Sequence, residues 1–513
     1  MAEPATTIQT ERRTAPEYEA IVVGAGFSGI GAGIRLRDAG IDNFVILEQA
    51  DDLGGTWRDN TYPGIAVDIT SFTYSFSFEP NPDWSRVFAP GRELQAYAHH
   101  CAEKYGVKPH MRFGVEVRRA EFDERYDLWR LYAADGRVWT ARFLIGATGG
   151  LIHPKMPDIP GLENFGGKLM HSARWDHSYD WSGQRVAVIG TGATAVQLVP
   201  AMAPRVKQMH VFQRTPIWIL PKPDAEIPAT VRRLFRQLPL TQKSVRQATS
   251  LLTEIIMVFG IVYNRQLPFL IRAIEQLCLN HLESQVDDPE LRRKLTPQYG
   301  FGCKRPSFSS EYWKTFNRDN VELVTEPIQR VTKTGVTTAD GRHRRVDLLI
   351  CATGFKVFEP GNFPPFEVIG RQGQGLAEFW EQNRYQAYEG ATVPGFPNLF
   401  LVLGPYATTG ASWFSMVEAQ TYHALRCIQA ARRRGATRVE VRKEANDRYF
   451  QRILKRQKNT VFFNNNCGAA NSYYFDSHGD APFLRPSSGA EMWLHSRAFP
   501  LRHYRFSSTG ATA

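Results

Sequence analysis

The stretch EAIVVGAGFSGIGAGIRLRDAG, Glu19 to Gly40, opens as an apolar strand, breaks at Gly24 and continues with apolar residues at helical spacing, Ile30, Ile34 and Leu36. Gly24, Gly26 and Gly29 give the spacing GxGxxG. The first glycine allows a tight turn, the second lets the backbone approach a pyrophosphate, and the third lets helix and strand pack closely. The spacing alone is a weak signal. It gains from NFVILEQA, Asn43 to Ala50, which predicts a second strand ending at Glu48. An acid at that point accepts a ribose hydroxyl and repels a 2′-phosphate.

A second copy follows. QRVAVIGTGATAVQLVPAMA, Gln184 to Ala203, repeats the pattern at Gly190, Gly192 and Ala195, and its next strand, QMHVFQRT, ends in Arg214. A guanidinium there pairs with a 2′-phosphate through two hydrogen bonds. The first site therefore reads as FAD-binding and the second as NADPH-binding. RFLIGATGG and VDLLICATGF end alike, at Ala147–Gly149 and Ala352–Gly354, and each reads as the last strand of its own dinucleotide fold.

The order of these units predicts an α/β protein with two nested Rossmann-like dinucleotide-binding domains, for FAD and NADPH, and a helical insertion. The expected divisions are a disordered N-terminus over 1–17, the FAD domain over 18–150, and the NADPH domain over 151–220. The helical insertion follows over 221–299, then the NADPH domain again over 300–380. The FAD domain and C-terminal segment take 381–513. Within the insertion, IIMVFGIVY, Ile255 to Tyr263, is the most hydrophobic run, too short to span a bilayer, which needs about 20 residues. It is read as a buried helix, with membrane-surface contact as the alternative. SFTYSFSF, Ser71 to Phe78, alternates strictly and predicts a strand whose Phe72, Tyr74, Phe76 and Phe78 face a core.

Composition narrows the class. The 513 residues are 43% hydrophobic and 22% charged, as in soluble globular proteins of two or three domains. The net charge is +11, yet the basic clusters at Arg232, Arg292, Arg342 and Arg432 form no stripe and no nucleic-acid motif. They suit a surface that attracts an anionic cofactor. No nucleic-acid partner, transmembrane segment or metal site is expected, and the chain is expected to be a monomer or weak homo-oligomer. The six cysteines include no CxxC pair, which argues against a disulfide framework, a zinc site or a redox dithiol and suits a reducing cytoplasm. The polar, charged first seventeen residues predict no signal peptide ahead of the first glycine motif.

Between the two glycine motifs lies FGGKLMHSARWD, Phe165 to Asp176, which reads as a connector. It matches F-x-G-x-x-x-H-x-x-x-W-[DP] at Phe165, Gly167, His171, Trp175 and Asp176. GGTWRDNTYPGIAVD, Gly54 to Asp68, matches G-G-x-W-x-x-x-x-[FY]-P-G-x-x-x-D. On these motifs the chain resembles the type I Baeyer–Villiger monooxygenases, class B flavin monooxygenases, over roughly residues 18 to 480.

The resemblance implies NADPH- and dioxygen-dependent oxidation of a ketone to an ester or lactone, with sulfoxidation as a side activity. Lys304 and Arg305, in GCKRPSFSSEYWKTFNRDNVELV, fall at the family's cofactor-binding lysine and catalytic arginine. The reaction passes through a flavin peroxide anion and an anionic tetrahedral adduct, both of which a permanently charged guanidinium stabilises without donating a proton. Asp68 would orient Arg305. Gly55, Thr56 and Trp57 belong to the flavin motif; Arg214 and Lys304 would hold the 2′-phosphate, with Thr191 and Gln213 as lesser contacts. His171 and Trp175 imply a hinge that couples nicotinamide binding to domain position. Thr409, Ser412, Trp413 and Phe414 fall in the substrate-pocket segment and suggest an apolar ketone. Tyr473 stands where many relatives carry a tryptophan near the nicotinamide. The nearest rival is an N- or S-oxygenating flavin monooxygenase, which needs no arginine beside the oxygen. A disulfide reductase is disfavoured by the lack of a cysteine pair, and a non-catalytic flavin-binding protein is the third alternative.

Overall fold

The computed structural model describes residues 15–359, 361–410 and 412–508. Most of the expected disordered N-terminus, residues 1–14, lies outside them. Among the described residues twenty strands follow in chain order. They begin with β1 (Tyr18–Val23), β2 (Phe44–Leu47), β3 (Met111–Arg112), β4 (Val117–Asp123), β5 (Leu128–Ala133) and β6 (Val138–Gly146). Next come β7 (Lys168–His171), β8 (Arg185–Ile189), β9 (Gln208–Phe212), β10 (Ile219–Leu220), β11 (Ser307–Phe308) and β12 (Val321–Val324). Then follow β13 (Ile328–Thr332), β14 (Gly335–Thr338), β15 (His343–Arg345), β16 (Leu348–Cys351), β17 (Glu367–Ile369) and β18 (Leu399–Leu401). The last two are β19 (Arg438–Val441) and β20 (Tyr504–Ser507).

The first sheet runs β17-β4-β5-β6-β1-β2-β3, with β18 also paired to β6. The second runs β12-β9-β8-β16-β7 and is parallel throughout. Every strand of the second sheet lies between β6 and β17 in sequence, so one dinucleotide fold is nested in the other.

Burial explains why these strands read as unbroken apolar runs. In β1, Ala20 and Val22 enter one core cluster while Ile21 and Val23 enter another on the opposite face. The second sheet does the same: Val186 and Val188 face one cluster, Ala187 and Ile189 the other. A parallel sheet covered on both faces leaves no polar side to alternate with.

Between the second sheet's strands lie the helices Ala229–Gln237, Pro239–Ile255, Pro268–Glu283 and Pro289–Leu295, with a π-helical turn at Ile256–Val262.

Four expectations need correction here. The chain rejoins the first sheet at β17, so the crossing falls before Glu367 rather than near 380; three residues beside β4 leave no periodic signal. The segment 71–78 forms turns, not a strand. Its backbone is satisfied locally, by Thr73 N to Thr70 O (3.0 Å) and Tyr74 N to Ser71 O (3.2 Å). Phe76 is nevertheless fully buried, and Phe72, Tyr74 and Phe78 pack around the same core. Ile255–Tyr263 is only half buried: Gly260, Ile261 and Val262 face inward while Ile255, Ile256, Phe259 and Tyr263 are exposed. Finally, the cysteines do pair, Cys303 with Cys467. Spacing could not show this, because the partners are 164 residues apart.

Candidate functional site

The first glycine turn leaves no room for a side chain at Gly24 or Gly29. Gly24 has φ +105°, and a Cβ there would sit 2.7 Å from the Ala147 carbonyl at the end of β6. A Cβ on Gly29 would lie 1.8 Å from the Gly24 carbonyl. Gly26 caps the helix Phe27–Asp38, whose N-terminal amides form a ready anion site. Gly55, at φ +54°, packs against it, with a notional Cβ 3.2 Å from Gly26 Cα. Thr56 and Trp57 begin the short helix Thr56–Asp59, and Trp57 Nε1 donates to the Tyr74 hydroxyl (3.1 Å). Glu48 is buried just beyond β2; its carboxylate accepts from Ala25 N (2.8 Å) and Ala50 N (3.0 Å) and pairs with Arg58 (3.1 Å). This cradle fits an adenine dinucleotide without a 2′-phosphate.

The second turn is built alike. Gly190 has φ +113°, and a Cβ there would sit 2.4 Å from the Ala352 carbonyl. Gly192 caps the helix Ala193–Met202, and a Cβ there would meet nothing within 4 Å, which leaves the amides open to a phosphate. The side chains of Thr191 and Gln213 turn away to protein carbonyls, Thr191 Oγ1 to Thr215 O (2.8 Å) and Gln213 Nε2 to Lys294 O (2.7 Å). Arg214 is exposed, and its charge acts on Lys304. Burial first, and Arg214 second, push the Lys304 ammonium down to about 8. Two cations thus converge on one place, as a doubly charged phosphate would require.

Arg305 donates to Asp68 Oδ2 through Nε (2.8 Å) and Nη2 (2.5 Å). Its side chain is 43% exposed, with Tyr473 and Tyr474 close enough for their charges to act on it. The Asp68 charge raises its pKa above the ordinary arginine value and outweighs burial, with Tyr474 and Tyr473 acting in the same sense. The guanidinium is therefore a fixed cation with further donors free of Asp68. Lys222, its pKa lowered by burial, is also within reach of the Asp68 charge.

The Cys303–Cys467 bond adjoins this pair in sequence. Cys303 is fully buried, in a cluster with Trp218, Phe301, Val461 and Tyr474.

The signature segment is not a connector. Lys168–His171 is an edge strand, β7, paired in parallel with β16 so that His171 stands beside Cys351. Four residues at an edge, half of them only partly buried, carry no clean period. Gly167 is required by packing: a Cβ there would lie 2.5 Å from the Asp347 carbonyl and 2.7 Å from the Phe165 ring. His171 Nδ1 accepts from Ala173 N (3.1 Å), while Nε2 is buried without a well-formed hydrogen bond. Burial lowers its pKa, opposed by the Gly354 backbone, so the imidazole is held neutral. Trp175 packs on the second domain's core. Asp176 accepts from Lys168 Nζ and from Ser178, which hold its pKa well below the usual carboxylate range. Residues beside them reach the flavin motif: Arg174 pairs with Asp59 (4.0 Å), and His177 Nε2 meets Thr61 Oγ1 (2.7 Å).

The expected pocket residues divide. Ser412 Oγ donates to Thr73 O (2.6 Å), and Thr409 N lies 3.1 Å from Met416 Sδ. Trp413 is partly buried at the start of the helix Trp413–Arg433. Phe414 is a correction: it is fully buried among Phe27 (4.6 Å between ring centroids), Phe76 (4.7 Å) and Tyr74 (5.1 Å), a core residue rather than a wall. Its place on the inward face of an amphipathic helix was the available clue.

Sequence reading missed Gln197. Its Oε1 accepts from the Tyr62 hydroxyl (3.0 Å) and its Nε2 donates to Ala66 O (2.9 Å), so a helix of the second domain grips the loop that ends in Asp68. Gly64 permits the approach: a Cβ there would lie 2.6 Å from Gln197 O.

Residues 21–250 match the family described as pyridine nucleotide-disulphide oxidoreductase. A Baeyer-Villiger monooxygenase of Pseudomonas aeruginosa is 41% identical over 491 residues, 96% of this chain and 90% of that protein. One of Streptomyces coelicolor is 40% identical over 487 residues, 94% and 92% of the two chains. Among solved structures, OTEMO in complex with FAD and NADP superposes with a TM-score of 0.85 at 27% identity, covering 96% of this chain and all of that one.

Proposed function

The chain belongs to the Baeyer–Villiger monooxygenase family, and we propose that it oxidises an apolar ketone to an ester or lactone beside the Arg305–Asp68 pair. It is an FAD-containing, NADPH-dependent monooxygenase of Baeyer–Villiger type. When bound, reduced FAD supplies the activation of dioxygen. The observation that carries the site reading is Arg305 held by two hydrogen bonds from one face to Asp68.

In this reading Gly24, Gly26, Gly29, Gly55, Thr56 and Trp57 cradle the FAD, and Glu48 takes its ribose. Gly190 and Gly192 approach the NADPH pyrophosphate, with Arg214 and Lys304 on the 2′-phosphate. Thr191 and Gln213 shape that turn from behind, since their side chains are spent on protein carbonyls. Asp68 orients Arg305 and balances its charge in the absence of an anion. The free donors of the guanidinium stabilise negative oxygen as the carbonyl becomes tetrahedral, which a titratable cation does less reliably. Neutral His171 and Trp175 act as positioning residues between the domains. Trp413 faces the substrate in this reading, supported by buried Thr409, Ser412 and Phe414.

A disulfide reductase now has a cysteine pair to be weighed. Cys303 is fully buried and so closed to an external thiol, which favours a structural role. The same pair removes the cysteine argument for a reducing cytoplasm, where structural disulfides are rare; the proposed assembly is a monomer or weak homo-oligomer. A ketone panel with products identified by mass spectrometry tests the reading. An ester or lactone that incorporates one atom of labelled dioxygen supports it; oxidation confined to sulfides and amines would favour the rival monooxygenase chemistry.

A further inference from the structure

The helix Pro239–Ile255 and the π-helical turn after it present two unlike faces. Inward, Gln242 Nε2 donates to Asn81 O (2.6 Å) and Arg246 Nη1 to Ser75 Oγ (2.9 Å). Glu254 Oε1 accepts from Gly489 N (2.5 Å), and Gly260–Val262 are buried. Outward, Leu240, Leu251, Leu252, Ile255 and Phe259 are between 43% and 75% exposed, and Phe269 on the next helix is 60% exposed. A surface of adjoining large apolar side chains is not ordinary for a solvent-facing helix.

Pro239–Val262 is long and apolar enough to cross a membrane by length and composition, with a mean hydropathy of 1.5 in its most apolar window. Its inward bonds argue against crossing. Withdrawing Arg246 and Gln242 from their partners would leave a charge and an amide in hydrocarbon. The segment is tied along its length to the first domain and offers only one side outward.

The border of this face selects the partner. Arg233, Lys243, Arg265 and Arg272 are exposed and make no ion pair among the described residues. The single acid between residues 229 and 272, Glu254, is turned onto Gly489. An apolar centre rimmed by unpaired cations complements anionic lipid headgroups over an acyl layer. A second copy of this chain would oppose the same cations to themselves across a two-fold axis. We propose that this face docks the protein in the plane of an anionic lipid bilayer. Its inner side packs on the Thr409–Gly410 segment: a Cβ on Gly410 would lie 2.1 Å from Met257 Cγ. The inference does not rest on the ketone reading, and its test involves no ketone.

The FAD-loaded protein is sedimented with phosphatidylcholine vesicles, with and without phosphatidylglycerol. The expected result is at least about tenfold stronger partition onto the anionic vesicles at low salt, weakening as salt is raised. Leu251→Asp/Ile255→Asp and, separately, Lys243→Glu/Arg265→Glu should each weaken it by about tenfold or more while FAD content and melting temperature hold. The second pair lies wholly on the surface and keeps the test valid if the first disturbs folding. Equal partition onto both vesicle types, or binding unchanged in both double variants, would overturn the proposal. So would a dimer that Leu251→Asp/Ile255→Asp dissociates, together with no vesicle binding.

Discussion

Cys303 is disulfide-bonded to Cys467, their Cα atoms 5.1 Å apart, so the segment carrying Lys304 and Arg305 is tied to the one carrying Tyr473 and Tyr474. Cross-linking positions this distant in sequence stabilises a fold by about 2–4 kcal/mol. Reduction, or Cys467→Ser, should lower the melting temperature by several degrees and raise unproductive NADPH oxidation. Scanning fluorimetry with and without reductant checks the first, peroxide release the second. Six alkylatable thiols in the untreated unfolded protein would show that the bond does not form.

Two cations at one phosphate set the nucleotide preference. Loss of a charge-assisted contact costs roughly 1.5–3 kcal/mol, so NADPH should be preferred to NADH by at least about tenfold, and Arg214→Ala should close most of that gap.

The same site carries a pH signature. Lys304 titrates at about 8, so below that pH it is charged and meets the phosphate, and above it the contact fades. The KM for NADPH should rise as pH climbs through 8 while that for NADH stays flat. Lys304→Met should abolish the rise, as steady-state kinetics across that range would record; a parallel rise for both nucleotides would assign the effect elsewhere.

His171→Ala removes a neutral, buried ring at the end of β7. Turnover and apparent NADPH affinity should shift together, as for hinge residues, with FAD retained. Loss of FAD with a collapsed melting temperature would instead mark His171 as structural.

Gln197→Ala breaks the grip on the Tyr62–Ala66 segment and leaves its partners short of hydrogen bonds, costing about 1–3 kcal/mol. The expected signature is a larger fraction of NADPH consumed without product, with NADPH affinity nearly intact. Coupling equal to the parent protein would show that the Asp68 loop holds itself.

The nested sheets were legible because β1, β2, β8 and β9 are buried on both faces, and β1 and β8 break at Gly24 and Gly190, whose φ other residues rarely adopt. Asp68, His171 and Trp175 were marked by motif spacing, and Arg305 by the resemblance of its segment to the family. What escaped depends on distant partners. Phe76 is buried by turns whose hydrogen bonds mimic no ladder, and β7 is an edge strand too short for a period. Gln197 and Cys467 matter through residues more than a hundred positions away. Phe414 was misplaced because aromatic residues serve a pocket and a core equally well.

The most direct test is Arg305→Ala, read for flavin reduction and for ester formation on the same preparation. Hydride transfer depends on stacking and position, so stopped-flow reduction by NADPH should persist. Oxygen insertion requires a fixed cation, and removing one such group lowers the rate by roughly 10²–10³. Ester should fall accordingly while NADPH oxidation continues and releases hydrogen peroxide, and Arg305→Lys should restore little. Ester formation at the parent rate in Arg305→Ala would contradict the account.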